Sequence, residues 1–189
     1  MEEPKNKYIL LNDRMGNTLE RNLLSLVLST KATPAQVLRG ELLEALPEAE
    51  QPLDFQRIAL FAIERKSLRL ECPTADVTRL SDEEANLLLA ISSLGERYAT
   101  AIDRERLDFG RRLSPENQVF VSLKGFTKNL PGVVRYKGEL PFCPGTMFGV
   151  ELIVSINSCL LFVLRWLSTV LMEYKGTAFN FFEKCSKLF

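Results

Sequence analysis

Apolar positions change their spacing several times along the chain, and each change predicts a different element. KYILL at 7–11 is a short apolar run that reads as an extended segment. In NTLERNLLSLVLS, Asn17 or Thr18 suits a helix cap, and Leu19, Leu23, Leu26 and Val27 fall near one helical face. LLSLVLST reads equally as a strand. TPAQVLRGELLEAL opens with Thr33 before Pro34, a cap and first-turn pair that predicts a helix. Val37, Leu38, Leu42, Leu43 and Leu46 line its apolar face. LPEAEQPLDF, residues 46–55, has two prolines and three acids and reads as a linker or loop. QRIALFAIERKSLRLEC predicts two strands around a charged turn at Glu64–Lys66. In the second strand Leu68 and Leu70 alternate with Arg69 and Glu71. CPTADVTRL returns to turn chemistry.

From Ser81 the spacing becomes helical. Ser81 and Glu84 form a capping-box pattern, and Asp82 and Glu83 suit the positive end of a helix. Leu87, Leu88, Ile91, Leu94, Tyr98 and Ile102 then recur mostly at steps of three or four and predict one long helix. Glu96, Arg97, Arg104 and Glu105 make its exposed side, and Gly95 weakens it by roughly 1 kcal/mol. RRLSPENQ at 111–118 is a turn-rich boundary. QVFVSLKG, VVRYKGEL and FGVEL come next as short strands, with Pro131–Gly132 and Pro144–Gly145 as turn signals and Gly138 ending the second strand. The pattern predicts an α+β chain: a mixed N-terminal region at 1–80, a helix and linker at 81–112, and a small antiparallel β module at 117–189.

Composition narrows the chemistry. With 46% hydrophobic and 25% charged residues, a buried core is feasible. Lys+Arg and Asp+Glu are 24 each, so no net charge draws the chain toward nucleic acid or acidic membranes. Cys72, Cys143, Cys159 and Cys185 form no CxxC pair, which argues against a zinc site; the expectation is no metal and no cofactor. Their scatter, and an acidic N-terminus without a secretory apolar core, favour reduced thiols in the cytoplasm. The chain has no histidine, which excludes a histidine-based triad or histidine metal ligands within it. No catalytic residue is assigned, and a non-enzymatic chain is expected.

The β segments carry a family likeness. VFVSLKG, LPGVVRYKGEL and GTMFGVEL resemble the first half of a CAP-Gly domain, whose strands read V-x-V, G-x-V-R/A-Y/F-x-G and G-x-W-x-G-V-E-L. SDEEANLLLAISSLGERY resembles the segment before the first such domain in a deubiquitinase of the ubiquitin carboxyl-terminal hydrolase family. YKGTAFNFFEKCSKLF at 174–189 resembles the end of the domain. The resemblance implies a small SH3-like barrel module that binds peptides such as acidic tubulin or microtubule-end tails. It also implies a scaffolding role in ubiquitin signalling, with association to the cytoskeleton. In that family the cysteine protease domain, which trims lysine-linked and linear ubiquitin chains, lies far downstream. A fragment of such an enzyme is therefore the alternative reading.

Carried over position by position, the groove aromatics fall on Phe142, on Met147 in place of tryptophan, and on Phe189. Lys187 replaces a glycine, and Lys124, Lys128 and Arg135 are cations that suit an acidic peptide. The G-K-N-D-G loop is missing, so the module is expected to be incomplete. In its place, within 152–173, stands LIVSINSCLLFVLRWLSTVLME. Residues 152–172 are long enough to cross a bilayer, which would make a membrane-tethered protein. Arg165 near their centre costs roughly 2.5–3.5 kcal/mol on insertion. A buried element and a retained intron are the other readings of this insert.

Overall fold

The computed structural model describes residues 6–21, 30–122, 127–153, 171–174 and 177–180. The chain divides into two compact units, Met1–Ala85 and Asn86–Phe189. Among the described residues it is α+β, with three helices and antiparallel sheets.

The first unit is a seven-stranded antiparallel sheet. Its strands are β1 Lys7–Leu10, β2 Arg14–Arg21, β3 Thr30–Val37, β4 Leu42–Ala45, β5 Arg57–Ala62, β6 Leu68–Pro73 and β7 Val77–Leu80. They lie in the order β3-β2-β6-β5-β4-β1-β7. Strict alternation in β6 puts Leu68, Leu70 and Cys72 inside and leaves Arg69 and Glu71 outside. These join Leu10, Val37, Leu43, Leu60 and Ala62 in one core. The two-strand reading of 56–72 and the extended segment at 7–10 are therefore observed.

The helix expected over 33–46 is a correction: these residues form β3 and β4. Gly40, at φ 89, turns the chain between them. Pro34 sits on β3, an edge strand, where its missing N–H costs no ladder bond on the open side. The helical reading from Asn17 fails for Asn17–Arg21, which extend β2, while 22–29 lie outside the described residues. The acidic stretch at 46–55, read as a linker or loop, is the β4–β5 connection. Gln51 ties it down: its Nε2 donates to the Leu46 and Ala59 carbonyls at 2.7 and 2.9 Å, and its Oε1 accepts from the Ala59 N–H at 2.9 Å. β7 hid in a stretch that reads as turn, because four residues carry too little alternation.

Asp76, buried in the turn before β7, accepts from Asn12 Nδ2 at 2.8 Å and Arg14 Nε at 2.7 Å. The Asn12 hydrogen bond chiefly holds its carboxyl below the ordinary value; burial opposes this, and Arg14 adds to the lowering. The folded state thus prefers the carboxylate. That stability is complete above the unfolded carboxyl value of about 4 and is lost as pH falls through the lower folded value. Asp76→Asn should weaken the first unit at pH 7 and flatten its stability profile below about pH 4. Urea unfolding at several pH values, followed by amide exchange in β1 and β7, checks this. A parallel decline in both proteins would refute the assignment.

Helices follow β7, the first of them running across the division at Ala85. The capping box forms as read: the Ser81 N–H donates to Glu84 Oε2 at 2.7 Å, and the Glu84 N–H to Ser81 Oγ at 3.2 Å. The single long helix is replaced by three, α1 Asp82–Leu89, α2 Leu94–Ile102 and α3 Arg104–Arg112. Each break has its own cap. Ser93 Oγ accepts from the Glu96 N–H, and Asp103 Oδ1 from the Arg106 N–H. The first break resets the helical phase. Arg97, expected outside, is 0% exposed, while Ile102, expected inside, is exposed.

The second sheet contains β8 Gln118–Ser122, β9 Leu130–Leu140, β10 Cys143–Leu152, β11 Leu171–Tyr174 and β12 Thr177–Asn180. Its order is β10-β9-β8-β11-β12, and among the described residues it closes into no barrel. Val119, Val121, Val134, Phe148 and Val150 are buried on it. Pro131–Gly132 and Gly138 lie within β9, and Pro144–Gly145 within β10, so they are not the turns the sequence suggested. The β9–β10 turn is instead Pro141–Phe142. Most of the apolar insert, 154–170, lies outside the described residues.

Candidate functional site

The β9–β10 hairpin is shaped by two register shifts. One falls between Cys143 and Thr146, and the other between Gly149 and Val150. The second leaves Arg135 as an extra residue on β9, since Val134 opposes Val150 and Tyr136 opposes Gly149. Beyond it, Phe148 and Val150 share one face, while Tyr136, Gly138, Met147 and Gly149 share the other, on which Met147 is itself buried.

Tyr136 dominates that face. Its hydroxyl donates to the Glu139 carbonyl at 2.8 Å, so the ring runs along its own strand. A Cβ at Gly138 would lie 2.6 Å from the Tyr136 hydroxyl, and one at Gly149 would lie 3.1 Å from Tyr136 Cβ. Gly138 therefore makes room for the ring, and Gly149 makes room for the Tyr136 Cβ across the hairpin. On the Phe148 face Lys137 donates to the Arg111 carbonyl at 2.7 Å, near the C-terminal end of α3, and stands 5.9 Å over the Phe148 ring.

Arg135 leaves the hairpin between two carboxylates. Its Nε donates to Glu151 Oε2 at 2.6 Å, and its Nη1 lies 2.6 Å from both Glu116 oxygens. These carboxylates raise the guanidinium pKa, Glu116 first, which keeps it charged. Glu116 belongs to the Ser114–Asn117 turn and has φ 73. Its N–H donates to the Val134 carbonyl at 2.7 Å, which docks the turn against β9.

The aromatic positions separate. Phe142 is 85% exposed in the hairpin turn, whereas Met147 is 9% exposed within β10. Phe189 and Lys124 lie outside the described residues, and Lys128 is exposed. Tyr136 and Glu116 were missed. The local signal for Tyr136 was its spacing of two from Gly138. Glu116 carried none, because its partner Arg135 is reached only through the fold.

Among the described residues no group of three or more acidic, cysteine or histidine side chains is placed to hold a metal. Cys72 is buried and its thiol is pushed up to about 11, by burial first and then by the Asp76 charge. It stays protonated at neutral pH and packs as a small apolar side chain. No helix among the described residues is long and apolar enough to cross a membrane.

Fold and face together describe an α+β chain in which three short helices lead into an antiparallel sheet with a bulged hairpin. Its relatives are deubiquitinases. Over 100 residues, 51% of the chain, it is 34% identical to ubiquitin carboxyl-terminal hydrolase CYLD of Pongo abelii, and 33% identical to CYLD of Bos taurus and of Homo sapiens. The likeness relates the chain to the N-terminal region of CYLD. The matched stretch is 10% of the length of each of these relatives. No family model matches the chain, and no solved structure matches it.

Proposed function

We propose that the chain is a CAP-Gly-type adaptor module, related to the N-terminus of a deubiquitinase, that holds short acidic peptides such as microtubule-associated tails on its β9–β10 hairpin. The observation that carries this reading is the bulged hairpin face, where the Tyr136 ring lies over Gly138, the residue paired with Met147. A flat aromatic on a rigid strand supplies contact area at little conformational cost. Phe142 at the exposed tip provides a second apolar contact, and Phe189 a third. Such a module works in the cytoplasm, in part on the cytoskeleton. Ubiquitin cleavage belongs to the relatives' name and is not assigned to this chain, which has no histidine to serve as general base.

The test is a titration of the isotope-labelled 189-residue chain with an acidic peptide ending in an aromatic residue, followed by NMR. Amide shifts should concentrate at Tyr136, Gly138, Phe142, Met147 and Gly149. The same protein should leave lysine-linked and linear ubiquitin chains intact. Absence of shifts on the hairpin at millimolar peptide would overturn the binding reading, and cleavage abolished by changing one cysteine would overturn the non-enzymatic one.

A further inference from the structure

The two carboxylates on Arg135 are held in different ways. Glu151 lies on β10, across the hairpin from the bulge, with its side chain 33% exposed. Its contact with Arg135 Nε aims the guanidinium outward. Glu116 is 73% exposed, stands on a turn, and adopts φ 73, a conformation that disfavours a β-carbon. It nonetheless presents both oxygens to Nη1 at 2.6 Å. Glu116 thus offers Arg135 the contact that an incoming carboxylate would make, from an exposed and strained position that water and ligand can reach.

We propose that Arg135 is a carboxylate-binding site of the hairpin, aimed by Glu151, and that Glu116 is a built-in competitor that an acidic ligand displaces. This rests on the peptide-binding reading above and names the group that recognises the ligand's charge. A guanidinium suits the task because its planar N–H fork matches a carboxylate. The bulge supplies the geometry. Arg135 is the extra residue on β9, next to Tyr136 in the chain and without a partner in the β10 register.

The experiment uses the full chain and the acidic, aromatic-ended peptide, with a free and with an amidated C-terminus. Glu116→Asn removes the charge and puts a residue tolerant of positive φ in the turn. Glu116→Gln removes the charge and keeps the side-chain length. Both should bind the peptide about two- to fivefold more tightly than the parent, the scale of one exposed ion pair. Arg135→Gln should weaken binding by a similar factor and cancel the gain in the double variant. Preserved amide shifts in β8–β10 confirm that each variant is folded. Weaker binding of the amidated peptide assigns the terminal carboxylate to Arg135; equal binding of both forms assigns an acidic side chain. Hairpin binding that responds to neither Glu116 nor Arg135 overturns this inference and leaves the peptide-binding reading intact. Absence of binding in every variant overturns both.

Discussion

Gly145→Ala is expected to destabilise the second unit by roughly 3 kcal/mol or more, from strain and overpacking together. Gly145 has φ +85, where an L side chain is strained whatever space surrounds it. An added Cβ would also stand 2.4 Å from the Asn86 carbonyl oxygen and 2.5 Å from the Ala90 nitrogen. Both are backbone atoms of the α1 segment and cannot rotate away. The register shift between Cys143 and Thr146 is what brings the strand backbone this close, so the alanine forces hairpin and helix apart. Urea unfolding with amide exchange in β8–β10 and in β5–β6 checks the prediction. The loss should appear in the second unit and spare the first. A variant within about 0.5 kcal/mol of the parent, the range of ordinary surface changes, would refute the packing described here.

Arg97→Met is expected to cost roughly 2–3 kcal/mol, because it strips a buried carbonyl of charged donors. Arg97 is 0% exposed and donates from Nε at 3.0 Å and from Nη2 at 2.7 Å to the Ile91 carbonyl. That carbonyl sits in the break after α1, where no further helical turn satisfies it. Methionine retains the length and apolar bulk of the side chain and loses both donors. Lysine should not restore stability, since one ammonium cannot reproduce the two-nitrogen fork. Thermal unfolding should show a fall of at least about 10 °C for a unit of this size. A fall of only a degree or two would mean that the Ile91 carbonyl is satisfied without Arg97.

Legibility tracked the range of the interactions. The Leu68–Leu70 alternation and the Ser81–Glu84 box are set by neighbours within a few residues, and both formed as read. Thr33–Pro34 had equally good local credentials as a helix start. It lost to eight residues of pairing with β2 and to burial of Val37 and Leu43 in the sheet core. For the helix after Ser81, residue type was legible and continuity was not, because Ser93 and Asp103 each start a new helix and shift the phase of the residues beyond them. At the candidate site, Gly138 was visible as the end of a strand. Its use as room for the Tyr136 ring was not, since it depends on the fold of the hairpin.

Residue order alone was enough for the α+β class, the helix start at Ser81, the glycine-rich hairpin and the likeness to a deubiquitinase N-terminus, because short-range patterns and local motifs carry all four. Folding was needed to bury Arg97, to press Gly145 against α1, to pair Arg135 with Glu116 and Glu151, and to part Phe142 from the interior that takes Met147. Glu116 and Arg135 are nineteen residues apart, and Asn86 and Gly145 are fifty-nine apart. No local periodicity encodes such distances; they arise from strand register and from where a helix breaks, which the competition among all the packed side chains decides together.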